Sequence, residues 1–116
     1  MVGMKRWLFT VLLLIAGCRQ TTEPPVALVA TLESSRTTAV RGDTVTFIVS
    51  ASGNNLVGVV IDFGDQSGDQ FGTGGARTAR VTFKHAFQTA GSFTVVAVVT
   101  DAIGGEKEAT ATVVIN

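Results

Sequence analysis

Few side chains in this 116-residue chain could react or hold an ion, and each stands apart from the partners such work requires. Cys18 is the single cysteine, so no intramolecular disulfide can form, and it is the one good sulfur nucleophile. His85 is the single histidine; a zinc site draws on about three or four protein ligands, and a lone imidazole supplies one. It falls on the inward-facing set of its run, where a hydrogen-bonded core or rim position is the simpler reading. Asp62, Asp65 and Asp69 sit in or near one turn. Such an oxygen-rich group can hold Ca²⁺. Alternatively Asp65 caps a tight turn through its own side chain. The spacing is not that of an EF-hand loop. Gly72-Thr73-Gly74-Gly75 lacks the Gly-Lys-Ser/Thr of a phosphate loop and reads as a flexible loop. Arg41-Gly42-Asp43 spells the integrin tripeptide by chance, at a turn. No nucleophile–base pair and no metal set is legible, so the chain is read as a non-enzyme without a resident cofactor, Ca²⁺ aside.

Cys18 takes its meaning from its position. Lys5 and Arg6 open the chain, and Trp7 to Ala16 is apolar except for Thr10. A basic start, a short apolar run and small residues describe a signal peptide. The run is too short to span a bilayer as a permanent helix, which takes about 20 residues. Ile15-Ala16-Gly17-Cys18 resembles the lipobox of bacterial lipoproteins; an ordinary secretory signal with a chance cysteine is the alternative. The resemblance implies that residues 1–17 are removed and that Cys18 carries diacylglycerol and an acylated amino group, such as a palmitate. Two or three acyl chains suffice for stable anchoring in a membrane. Arg19, rather than Asp, follows the cysteine, and by the same resemblance this points to the outer membrane if the cell has two. Residues 18–25 then form anchor and tether, with Pro24 and Pro25 favouring an extended backbone. Seven residues reach at most about 25 Å, so the domain sits close to the membrane.

Nine basic residues balance nine acidic ones, and no basic excess marks a nucleic-acid binder. Without residues 1–17, seven basic residues face nine acidic ones, a formal charge of −2. Apolar residues make up 46% of the chain, too many for a disordered one. After residue 25 no helical period is sustained, while Val, Thr and Phe recur in short alternating runs.

Six runs read as strands: Val26 to Leu32, Thr44 to Ala51, Leu56 to Phe63, Ala79 to Phe87, Ser92 to Thr100 and Ala109 to Ile115. Turns are expected at Arg41-Gly42-Asp43, Ser52 to Asn55, Ala90-Gly91 and Ile103 to Gly105. A polar, Gly-rich stretch from Gly64 to about Thr78 leaves room for a short seventh strand near Gln70 to Thr73. About seven short antiparallel strands over residues 26–116 predict an all-β, immunoglobulin-like β-sandwich.

Several of these segments carry a family resemblance. Ile61-Asp62-Phe63-Gly64-Asp65 is similar to the W-D-F-G-D signature of the polycystic-kidney-disease (PKD) repeat domain. Val81 to Phe87 resembles its V-x-H-x-Y segment, and Gly91 to Val95 with Val99-Thr100-Asp101 resembles its G-x-Y-x-V and V-T-D strand. Three positions depart from the pattern: Ile61 for Trp, Gln66 for Gly and Phe87 for Tyr. The resemblance implies an extracellular module that contacts proteins or carbohydrates, or acts as a spacer, without catalytic residues.

In an immunoglobulin-like order the third, sixth and seventh strands lie side by side. Their outward residues are Val60, Val96, Val98 and Val114, among Thr94, Thr100, Thr110 and Thr112. The opposite sheet shows Thr44, Thr46, Arg80, Thr82 and Lys84, with Ile48 its apolar exception. The first face is read as Val/Thr-rich and uncharged. Either strand propensity alone put the valines there, or they form a packing surface for a partner chain or a second copy. The expectation is a lipid-anchored, envelope-displayed module binding another protein, with a structural spacer or subunit as the alternative. A glycan partner fits less well, because Trp7 leaves with the signal peptide and Tyr is absent; Phe71 is the one aromatic candidate among the loops.

Overall fold

The computed structural model describes residues 26–116, so Cys18, the signal segment and the tether lie outside the described residues. Six strands follow in order: β1 (Val29–Ser34), β2 (Thr38–Ala39), β3 (Thr44–Asp62), β4 (Gly68–Ala86), β5 (Gly91–Asp101) and β6 (Gly105–Ile115). Neither a helix nor a cis peptide bond occurs among the described residues. The domain is all-β and, except for the β2–β6 pair, antiparallel.

β3 and β4 are long because each serves both layers of the sandwich. The first half of β3 lies between β1 and the second half of β4, with Val49 facing both Leu32 and Val81. The second half of β3 lies between β5 and the first half of β4, with Val59 facing both Val99 and Phe71. β6 and then β2 extend the second layer beyond β5. The change of layer falls at residues 52–58, where the β3–β4 register shifts twice. Strands that turn a corner between layers do so through such bulges.

The alternation of the sequence accounts for what is inside. Val45, Phe47, Val49 and Ala51 are buried from the first half of β3, and Leu56, Val59 and Ile61 from the second. Val95, Ala97 and Val99 of β5 and Val113 and Ile115 of β6 complete the second layer. Phe47 and Phe63 join the layers with ring centroids 5.6 Å apart, and Phe87 meets Phe47 edge-on at 6.4 Å. Each fully buried side chain of this size contributes about 1.5–3 kcal/mol relative to exposure.

Several expectations are corrected in detail. Ser52 to Asn55 is a corner within β3 rather than a chain reversal, and its glycine is required by a close approach: a Cβ on Gly53 would collide with the Asp101 carboxylate. The Gly-rich stretch is mostly strand, since β4 begins at Gly68 and takes in the expected short strand at Gln70 to Thr73. Gly72 to Gly75 therefore belongs to β4, with Thr73 Oγ1 donating to the Leu56 carbonyl at 2.6 Å. β6 begins at Gly105, ahead of the expected Ala109. Two-residue β2, which pairs in parallel with Val114 and Ile115, was not expected.

Candidate functional site

The strand register places the outward residues of the second layer in rows. Gln70, Val60, Val98 and Glu108 form one row, and Gly68, Asp62, Val96 and Thr110 the next. Val60, Val96 and Val98 are thus neighbours, as expected from their parity. Val60 is 52% exposed, while Val96 and Val98 are half-buried. Val114 is exposed too, but it pairs with Ser92, beyond the Thr94–Thr112 row, and does not join the group.

Two features of this face were not read from the sequence. Val57 sits at the register shift between Leu56 and Gly58, so the bulge adds a further exposed valine. With Gly58, Val60, Gln70, Phe71 and Thr100 it lines an open groove of about 470 Å³. Phe71, expected on a loop, is in β4. The face is also not uncharged. Because β6 starts early, Glu106 and Glu108 pair with Thr100 and Val98 and so lie on this side, where Asp62 joins them. No Lys or Arg among the described residues takes a register position here. Arg80 and Lys84 pair with Ser50 and Thr46 on the outside of the first layer, and Lys107 pairs with Val99, on the other side of β6. The surface is an apolar floor with an acidic rim.

The loop from Phe63 to Ser67 closes one end of the second layer and carries Asp65, with Asp62 at the end of β3 before it and Asp69 near the start of β4 after it. Asp62 Oδ1 accepts the Gly64 N–H at 2.8 Å, and Asp69 Oδ1 accepts the Gln70 N–H at 2.8 Å. Asp65 Oδ1 accepts from both the amide and the hydroxyl of Ser67, and its Oδ2 lies 2.7 Å from His85 Nε2. Asp62 and Asp65 are engaged within the loop and Asp69 along its own strand, so the three carboxylates do not converge. No group of three His, Cys, Asp or Glu side chains that could hold a metal ion occurs among the described residues. Burial pushes the Asp65 carboxyl up, but the hydrogen bonds from Ser67 and His85 outweigh it and hold the group below its usual value.

His85 is a rim histidine stacked on Phe63, with centroids 4.1 Å apart and planes 2° from parallel, and edge-on to Phe87 at 4.7 Å. Ser67, Asp65 and His85 do meet, although their spacing gave no sign of it. A nucleophile relay needs the hydroxyl and the carboxylate on opposite ring nitrogens. Here both approach Nε2, and the serine hydroxyl bonds to Asp65 itself. The trio fastens the loop to β4.

The residue that sequence reasoning left as a mere motif letter is Asp101. It is 2% exposed, and its two oxygens accept four backbone N–H groups: Asn54 and Asn55 on Oδ2, both at 2.7 Å, and Ile103 and Gly104 on Oδ1, both at 2.8 Å. Burial raises its pKa, and the four amides overcome that and set it at about 2. One carboxylate thereby holds the β3 corner and the β5–β6 turn together. Asn54 passes the order on: its side chain accepts from the Val26 N–H and donates to the Val26 carbonyl, each at 2.8 Å, fixing where the chain enters the domain.

A V-T-D strand ending in a buried carboxylate and, at the opposite end of the second layer, a D-F-G-D loop fastened by a histidine repeat the pattern noted in the sequence, and residues 22–116 match the PKD domain family as a whole. The chain belongs to the PKD domain family. The fold of this PKD domain is similar to the PKD domain of an M14-like peptidase from a Thermoplasmatales archaeon, at 20% identity and a TM-score of 0.65, over 80% of this chain and 96% of that one. It is also similar to the PKD1 domain of Vibrio anguillarum Epp, at 22% identity and 0.58, over 80% and 98%. The PKD domain of the human VPS10 domain-containing receptor SorCS2 matches at 18% identity and 0.53, over 80% and 75%. No curated protein sequence matches the chain.

The three departures from the PKD pattern are accommodated differently. Ile61 is buried in the core. Phe87, lacking a hydroxyl, is buried and stacked on Phe93 at 4.7 Å, and its carbonyl accepts the Gly42 N–H at 2.9 Å. Gln66 takes the cost, with φ at 73°, the one non-glycine residue with positive φ among the described residues.

Proposed function

We propose that this PKD domain is a lipid-anchored binding module that makes protein–protein contacts in the cell envelope through the Val60–Val96–Val98 face. The observation that carries the reading is the directly opposed pair Val60 and Val98, an apolar floor left open to solvent beside the Val57 groove and bounded by Asp62, Glu106 and Glu108. Exposed apolar surface with a polar rim is characteristic of contact sites. The acidic rim favours a basic partner and would speed encounter with it. Anchoring rests on the basic, apolar and small-residue run that ends in Cys18.

The test uses the full chain in its own envelope. Crosslinking followed by purification should recover a defined protein partner, and Val60→Lys with Val98→Lys should lose it while the domain stays folded. Recovery unchanged by both substitutions would refute the face. Labelling with a fatty-acid analogue should mark the wild type and not Cys18→Ser; label retained by the serine variant would refute the anchor.

A further inference from the structure

β4 is paired on one side only. Along its whole length it meets β3, and nothing lies against its other edge among the described residues. An unpaired edge is a template for another strand unless it is blunted. In the second half of β4 the outward residues Arg80 and Lys84 blunt it. The first half, from Gly68 to Thr73, is different.

Backbone groups along an antiparallel strand point alternately to each side. The Ser67 carbonyl accepts from Phe63, and the Phe71 carbonyl lies toward Gly58, so the odd residues face β3. Gly68, Gln70 and Gly72 therefore turn their amides and carbonyls to the open edge. The Gln70 N–H finds only the neighbouring Asp69 carboxylate.

Phe71 marks the same edge as unfinished. It pairs with Val59, which pairs with Val99, and both valines are buried. Phe71 thus continues a core row, yet it is 55% exposed, because no further strand covers it. On the other side of the sheet Gln70 borders Val60, and the groove lined by Gln70, Val60 and Phe71 opens at this edge.

The geometry points to an extended segment of a partner protein that adds to β4 at Gly68–Thr73, with Lys or Arg alternating with apolar residues. Its apolar side chains would cover Phe71, and its basic ones, on the opposite face, would reach Asp62 on the neighbouring strand. Main-chain bonds to Gly68, Gln70 and Gly72 would supply affinity, and the alternate side chains specificity. A second copy of this chain is disfavoured, since self-pairing brings two Asp69 carboxylates to one short edge. The inference rests on the proposed protein-contact role and specifies its mode and partner chemistry.

The test is amide hydrogen exchange of the full chain in detergent, with a blocked decapeptide of alternating Lys and Val as probe and one of alternating Glu and Val as control. The basic peptide should slow exchange at Gln70 and Gly72 by at least about tenfold, and the acidic one should not. Gln70→Pro removes an edge donor that β3 does not use and should abolish the protection at Gly72. If the proline variant fails to fold, Phe71→Lys should weaken binding at least about tenfold by removing the apolar contact with the added strand. No binding of the basic peptide, or binding unchanged by these variants, would overturn the inference. Perturbation of Val96 and Val98 without protection at Gln70 would overturn strand addition while leaving the proposed face standing. Protection at Gln70 in a sedimenting dimer without peptide would replace the partner with a second copy.

Discussion

Asp101 Oδ2 accepts the Asn55 N–H at 2.7 Å across 46 residues of chain, and so ties the end of β5 to the corner where β3 changes layer. The same oxygen holds Asn54, whose side chain holds Val26. A single carboxylate thus organises the end of the sandwich at which the chain enters, the end beside the Val57 groove.

This predicts a polar hot spot for stability. Asp101→Asn keeps the size but replaces one acceptor oxygen with a donor that faces backbone N–H groups, leaving two of the four amides unpartnered. Urea denaturation should place it below every exposed-site substitution in midpoint. A midpoint equal to wild type would contradict the assignment.

The pH dependence follows from the same group. Its folded pKa, about 2, lies below the ordinary 3.8, so its contribution is complete above about 3.8 and is lost as pH falls toward 2. Asp65 is shifted in the same direction and adds to the trend. Midpoints measured between pH 5 and 2 should fall steeply for wild type and less steeply for Asp101→Asn. Parallel curves would contradict the linkage.

Gln66 predicts a gain. A left-handed side-chain residue costs roughly 1–2 kcal/mol, part of which glycine returns through its freer unfolded state. Gln66→Gly should stabilise by roughly 0.5–1 kcal/mol, with an unchanged denaturant slope. A loss of stability would mean that the side chain makes a contact worth more than the strain.

The two faces of β3 should respond oppositely to truncation. Phe47→Ala removes a fully buried ring and should cost about 3–5 kcal/mol. Val60→Ala, at an exposed position, should change stability by no more than about 0.5 kcal/mol while weakening partner recovery. A large stability loss at Val60 would make the valine face structural.

How far these features were legible varies for physical reasons. Alternation exposed the inward sets from Val45 to Ala51 and from Phe93 to Val99, because burial on one face of a strand writes a period of two into the sequence. The same parity brought Val60, Val96 and Val98 together. It could not reveal Val57, since a bulge breaks the period at the residue it exposes. Ser52-Gly53-Asn54-Asn55 has the composition of a turn, and only the approach of Asp101 explains why glycine is needed there without a reversal. The strand from Gly68 to Thr73 has too few apolar residues to signal itself. Glu106 and Glu108 join the face because β6 starts at Gly105, a boundary that polar residues do not mark. Thr38 and Ala39 form too short a strand for any periodicity. Asp65 and His85 are 20 residues apart and meet only once β3 and β4 have paired.

The valine face of the second layer, and not the outside of the first, is the proposed contact surface for a partner protein. Site-specific photocrosslinking in the intact envelope tests it most directly, with a photoreactive residue at Val98 in one chain and at Ile48, on the opposite face, in another. A discrete protein adduct is expected from Val98 and none from Ile48. Adducts from Ile48 alone, or none from either position, would contradict it.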